Sequence, residues 1–143
     1  APERIGEGLD KAGPFLNKLI EETKNNFFLK DNKIFFIGFS QGAMMGLYHL
    51  CKRKDSCGGL LAYSGLLYEN NNFDEEVISK FPIGLYHGKN DEVIDAQFTE
   101  KSYKKLKKLG YEVKYHIQEG LGHGIDDYGL NFGFNFLHDL ITV

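Results

Sequence analysis

The sequence predicts an α/β fold, a mainly parallel sheet flanked by helices, in one domain spanning residues 1–143. Two observations predict it. Apolar runs of strand length alternate with segments of helical period along the chain, and that alternation implies right-handed βαβ units. Hydrophobic residues make up 42% and charged residues 26%, a balance that excludes disordered and fibrous classes. A chain of this length buries about 68–70% of its unfolded surface and needs no disulfide or metal to hold a core.

Residues 5–25 are helix-like, with Leu16, Leu19, Ile20 and Thr23 on one side. Pro14 is expected to break a continuous helix, so the firm part is expected to start there. Lys33–Gly38 carries Ile34, Phe35, Phe36 and Ile37 in succession and reads as a strand buried on both faces. Gln41–Arg53 is helical, with Met44, Leu47, Tyr48 and Cys51 on one stripe. Gly59–Ser64 is a second apolar strand. An Asn-rich loop (Asn70, Asn71, Asn72) leads to a short helix near Asp74–Lys80, and Ile83–His87 is a third strand. Asp95 is placed to cap a helix that runs to Leu109 and closes at Gly110. Tyr111, Val113, Tyr115 and Ile117 alternate with polar residues, which predicts a half-exposed fourth strand. The last segment is helical, with Leu130, Phe134, Leu137 and Ile141 in register.

In a sheet of this kind the ligand site lies beyond the carboxyl ends of the strands. After the first strand comes Gly38-Phe39-Ser40-Gln41-Gly42, which fits G-x-S-x-G. Small residues at 38 and 42 are expected because a side chain at either would clash in a direct strand-to-helix turn. The turn strains Ser40 and pushes its hydroxyl outward, at a helix N-terminus that favours negative charge. The alternative role for Ser40 is an ordinary cap. After the third strand comes Asp91, and after the fourth comes His123 within Gly120-Leu121-Gly122-His123-Gly124. A serine nucleophile needs a base, and that base needs a carboxylate to fix its tautomer.

The stretch Ile34–Gly42, the stretch His87–Ile94 and the stretch Gly120–Gly124 resemble the phospholipase/carboxylesterase branch of the α/β-hydrolases, which includes acyl-protein thioesterases. The resemblance covers nearly the whole chain. It implies Ser40 as nucleophile, Asp91 as acid and His123 as base, with the Gln41 backbone N–H as an oxyanion donor. It also implies that this chain is the C-terminal portion of such a fold. Family members begin with further strands and a His-Gly loop that supplies another oxyanion donor, and residues 1–30 carry neither. The Ala1-Pro2 start leads to the expectation of a truncated or processed chain.

Other residues are weighed against blander roles. Glu92 neighbours Asp91 as an alternative carboxylate, and Asp126 or Asp127 is expected to start the last helix. His49, His116 and His138 are expected to be ordinary, partly exposed side chains, and His87 a hydrogen-bonded structural one. Lys101, Lys104, Lys105, Lys107 and Lys108 read as the solvated side of a helix. Cys51 and Cys57 read as packing residues, and Met44 as core, although Met44 and Met45 also stand close enough to Ser40 to line an acyl groove. No metal cluster and no phosphate-cradling loop is present, so no cofactor is expected.

The function expected is hydrolysis of a carboxylic ester or thioester, acting on a small ester or an acylated substrate. The alternative is a non-catalytic fragment or pseudoenzyme. A net charge of −3 argues against nucleic acid as partner. No run reaches the ~18 apolar residues of a membrane span. Two cysteines six positions apart suggest reduced thiols and a cytoplasmic protein. Residues 33–38, apolar and with Lys33 as their one charge, are expected to pair with a second copy or with a separate N-terminal portion.

Overall fold

In the computed structural model, which describes residues 2–70 and 72–142, four strands alternate with five helices. Ala1 and Asn71, which entered the sequence reading, lie outside the described residues. Helix α1 covers Pro2–Phe27, β1 Phe35–Phe39, α2 Gln41–His49, β2 Gly59–Tyr63 and α3 Phe73–Glu76. Strand β3 covers Ile83–Gly88, α4 Gln97–Lys108, β4 Val113–Gln118 and α5 Asp127–Ile141. The strands lie in chain order, β1-β2-β3-β4, and every pairing is parallel. All four C-terminal strand ends therefore open on one edge of the sheet.

The main core lies between the sheet and helices α1, α2 and α4. Leu16 and Ile20 of α1, Leu47 of α2 and Leu106 of α4 pack on Leu60, Ala62, Ile83 and Leu85. Each such aliphatic side chain contributes about 1.5–3 kcal/mol when fully buried. The opposite face of β2 and β3 is covered by α5, with Leu61, Tyr63, Tyr86 and Phe136 at the contact.

Several expectations are corrected. Helix α1 runs unbroken through Pro14. Proline removes one bond of its helical turn, the one to the Asp10 carbonyl, without ending the helix. The His49 ring meets the Leu9 carbonyl at 2.5 Å, and Gly13 leaves room for that ring, since a Cβ at 13 would lie 2.7 Å from it. His49 is partly exposed, as expected, and also bridges α1 and α2. Leu19 points outward, at 59% exposure, while Leu16 and Ile20 face the core.

Strand β1 is two residues shorter at its start than expected and is not buried on both faces: Ile37 is 63% exposed. Helix α5 packs on β2 and β3. Among the described residues no strand pairs with the outer edge of β1. Helix α2 ends at His49 and tightens into a 3₁₀ turn, and α3 is a single turn ending at Glu76. Tyr111 precedes β4 and is buried, while Tyr115 within it is 39% exposed.

In α5 the buried stripe is Gly129, Gly133 and Phe136; of the predicted stripe, Leu137 packs half-buried against the core while Leu130, Phe134 and Ile141 face outward. The glycines decide this. A Cβ on Gly129 would lie 2.8 Å from the Tyr86 ring, and one on Gly133 would collide with the Tyr63 hydroxyl. Only a helix turned with its glycines inward reaches the two tyrosines, and Tyr63 donates to the Gly129 carbonyl at 2.7 Å.

Candidate active site

Ser40 sits between β1 and α2 at φ 55°, ψ −112°, a conformation that a residue with a side chain adopts only under strain. Its backbone N–H donates to the Tyr63 carbonyl at 2.8 Å, and its own carbonyl accepts from Met44 at 3.0 Å. The turn is tight at Gly38, where a Cβ would lie 2.6 Å from the Ala43 nitrogen and the Gly42 carbonyl. Position 42 differs from the expectation: a Cβ there meets nothing within 4 Å. The second glycine of the motif is not required by crowding within the described residues.

Asp91 follows β3 and is buried at 8% exposure, whereas its neighbour Glu92 is exposed. One carboxylate oxygen, Oδ1, accepts from the amides of Val93 at 2.8 Å and Ile94 at 2.9 Å. The other, Oδ2, lies 2.7 Å from His123 Nδ1. Burial pushes the Asp91 pKa up, but the amides of Ile94 and Val93 and the His123 ring outweigh it and hold the carboxyl below its ordinary value.

His123 lies on the loop between β4 and α5, and its Nε2 is 3.0 Å from Ser40 Oγ. The Phe39 ring stands beside it, with centroids 5.0 Å apart. Nδ1 faces the carboxylate, so it carries the ring proton in the neutral form, and Nε2 is the free acceptor toward Ser40. The structure thus brings Ser40, His123 and Asp91 into one hydrogen-bonded line. Gln41, the first residue of α2, presents a backbone N–H that has no acceptor within its own helix.

The loops that carry Asp91 and His123 are stitched together. The Asn90 backbone N–H donates to the Leu121 carbonyl at 2.8 Å, and the Gly120 amide donates to Asn90 Oδ1 at 3.0 Å. Gly88 is in contact with the carbonyls of Leu121 and Gly122, leaving no room for a side chain. Asn90 was not singled out in the sequence; its signal is an amide side chain in the acid loop, one residue before the carboxylate.

A groove of about 490 Å³ opens beside Ser40. Ile5 and Leu9 of α1 form one wall, Met44 and Met45 of α2 another, and Val93 and Ile94 of the acid loop a third. Met44 is both core and groove, at 6% exposure. Val93, Ile94 and the α1 residues carry no chemical signature and were not picked out in the sequence.

The remaining candidates lie apart. Asp126 caps α5, accepting from the Gly129 amide at 2.8 Å and from the Tyr86 hydroxyl at 2.6 Å. Asp95 accepts from the Gln97 amide at the start of α4. His116 stacks on Tyr86 and His138 on Phe134. Lys105 pairs with Glu69 and Asp74, while the other lysines of α4 face solvent. Cys51 is buried and Cys57 half-buried, both as free thiols.

This geometry has counterparts among known proteins. The family model described as phospholipase/carboxylesterase matches residues 2–141. The chain belongs to that family. An acyl-protein thioesterase 1 of Debaryomyces hansenii is 29% identical over 140 residues, covering 94% of this chain and 60% of that protein. One of Neurospora crassa is 33% identical over 131 residues, covering 85% of this chain and 53% of that protein. The chain thus spans between half and two-thirds of the length of these relatives. The crystal structure of esterase PE8 superposes with a TM-score of 0.91 at 32% identity, covering 94% of this chain and 62% of that one. A Bacillus cereus carboxylesterase, at 17% identity and a TM-score of 0.81, shares the fold. The fold is that of the α/β-hydrolase esterases.

Proposed function

We propose that this family member is a serine hydrolase that cleaves carboxylic esters or thioesters, with Ser40 as nucleophile, His123 as general base and Asp91 as the orienting acid. The observation that carries the reading is the unbroken line from Ser40 Oγ through His123 to Asp91 Oδ2, at 3.0 and 2.7 Å. Ser40 Oγ attacks the substrate carbonyl carbon while His123 Nε2 takes the hydroxyl proton. The carbonyl oxygen gains the negative charge and accepts from the Gln41 N–H, supported by the N-terminus of α2. The tetrahedral intermediate collapses, the bond to the alcohol or thiol breaks, and His123 gives its proton to that leaving group. Water then attacks the acyl-serine, losing its proton to His123; the acid departs and the proton returns to Ser40. Asp91 stays ionised throughout and stabilises the imidazolium.

The apolar walls beside Ser40 favour an acyl group with a hydrocarbon portion. The free thiols of Cys51 and Cys57 suit a cytoplasmic protein. No helix among the described residues is long and apolar enough to cross a membrane. Strand β1, open along one edge with Ile37 exposed, is proposed to pair with another polypeptide: a second copy, or a separate N-terminal portion that adds an oxyanion donor. Light scattering over a concentration series, with amide exchange at residues 35–39, tests the pairing. A monomer whose β1 amides exchange fast refutes it.

The hydrolase reading is tested with a chromogenic short-chain ester and a serine-reactive phosphonate. Turnover, with labelling of Ser40 that disappears in Ser40→Ala, is expected. A folded protein that neither turns over ester nor takes the label supports the non-catalytic reading instead.

A further inference from the structure

His87 is the last side chain of β3 before its terminal glycine, and it has no exposed surface. Its Nε2 lies 2.8 Å from the Ile94 carbonyl and 3.0 Å from Asp91 Oδ2, the oxygen that faces His123. Its Nδ1 lies 2.7 Å from Thr99 Oγ1. A nitrogen facing two acceptors carries a proton, and a neutral ring then accepts at the other nitrogen. The tautomer assigned from these partners is therefore Nε2–H, with the Thr99 hydroxyl donating to Nδ1 at 2.7 Å in preference to the more distant Gly65 carbonyl at 3.3 Å. The N–H is directed at the Ile94 carbonyl, and the positive edge of the ring rests against Asp91 Oδ2.

The bonds around Asp91 close into a circuit. Asp91 Oδ1 holds the amides of Val93 and Ile94, and the carbonyl of the same Ile94 is held by His87. The turn that fixes the carboxylate is itself fixed from below by a ring rooted in the sheet. We infer that His87 is a positioning residue: through the Ile94 carbonyl and the edge of its ring it sets the orientation in which Asp91 meets His123. This rests on the hydrolase reading for its effect on turnover, and on the geometry alone for its effect on the Asp91–His123 hydrogen bond.

The test compares His87→Leu, which removes the donor, with His87→Gln, whose amide N–H has a similar reach. The full chain is used, and two quantities are read: ester kinetics, and the proton resonance of His123 Nδ1–H. His87→Leu is expected to lower kcat about 10- to 100-fold with KM unchanged, as expected for a loosened supporting partner. It is also expected to shift or broaden the Nδ1–H resonance, and His87→Gln is expected to restore both. If His87→Leu does not fold, Thr99→Val serves in its place, because it leaves Nδ1 without a donor and frees the ring; a smaller change in the same two readouts is expected. A folded His87→Leu protein with unchanged kcat and unchanged resonance overturns the inference. So does His87→Gln behaving no better than His87→Leu. If the unsubstituted protein shows no turnover and no phosphonate labelling, the hydrolase reading fails separately, and the resonance alone decides the role of His87.

Discussion

Asn90 accepts the amide of Gly120 across the gap between the acid loop and the histidine loop, at 3.0 Å. The two residues lie 30 positions apart, and the bond fixes the separation of the loops more than the stability of either. A net contribution of about 1 kcal/mol is ordinary for such a bond. Asn90→Ala is expected to lower kcat about 3- to 10-fold while the denaturation midpoint moves little. Steady-state kinetics beside a urea titration checks this, and a large loss of stability with intact kcat contradicts it.

Ser40 holds a strained backbone that costs about 1–3 kcal/mol. Ser40→Gly releases that strain at the expense of some chain entropy. A net gain in stability of about 1 kcal/mol, with complete loss of ester turnover, is expected. Ser40→Ala removes turnover without relieving the angle and gives no such gain. Thermal melts of the three proteins decide the matter.

Gly38 and Gly42 play unequal parts in their shared motif. Gly38→Ala drives a Cβ into backbone atoms 2.6 Å away and is expected to destabilise severely. Gly42→Ala enters open space in the first turn of α2 and gains up to about 1 kcal/mol of helix propensity. Folding yields and urea midpoints that fail to separate the two variants would contradict this.

Asp91 links the site to pH in a defined direction. Its folded pKa lies below the ordinary value, so the unfolded chain binds the proton more readily. The stabilisation from its ionised form is complete above the ordinary carboxylate range and is lost as pH falls through the lowered folded value. The stability difference between the unsubstituted protein and Asp91→Asn is therefore expected to shrink below about pH 4. Above that range Asp91→Asn is expected to keep its fold and lose about 10⁴-fold in kcat, as the ring adopts the wrong tautomer.

Cys51 and Cys57 have pKa values pushed up to about 11 by burial. Neither forms much thiolate at neutral pH. Iodoacetamide is expected to modify both slowly in the native protein and rapidly in denaturant. Fast native labelling of either thiol contradicts this.

The parallel sheet and the residues gathered at its edge were legible because each left a local mark: apolar runs, a G-x-S-x-G turn, and a carboxylate and a histidine just past later strands. What was illegible depended on partners distant in sequence. The facing of α5 is set by Gly129 and Gly133 against Tyr63 and Tyr86, not by its most apolar stripe. The bridge from α2 to α1 joins His49 to the Leu9 carbonyl across 40 positions. The exposure of Ile37 in β1 depends on which distant elements cover its face, which no local pattern in 33–38 encodes. The role of His87 as a buried, bonded ring was foreseen, but its closeness to Asp91 required the turn to be seen.

Ser40 and His123 stand 83 positions apart, and their bond needs the sheet to be in register from β1 to β4. Contacts of such long range form late, after local helices and neighbouring strand pairs, because the chain must close its largest loops first. During refolding, the circular-dichroism signal of the helices is expected to recover before the Ser40–His123 hydrogen bond forms. Under the proposed function, the return of ester turnover is therefore expected to lag the return of secondary structure, which stopped-flow circular dichroism beside a turnover assay checks.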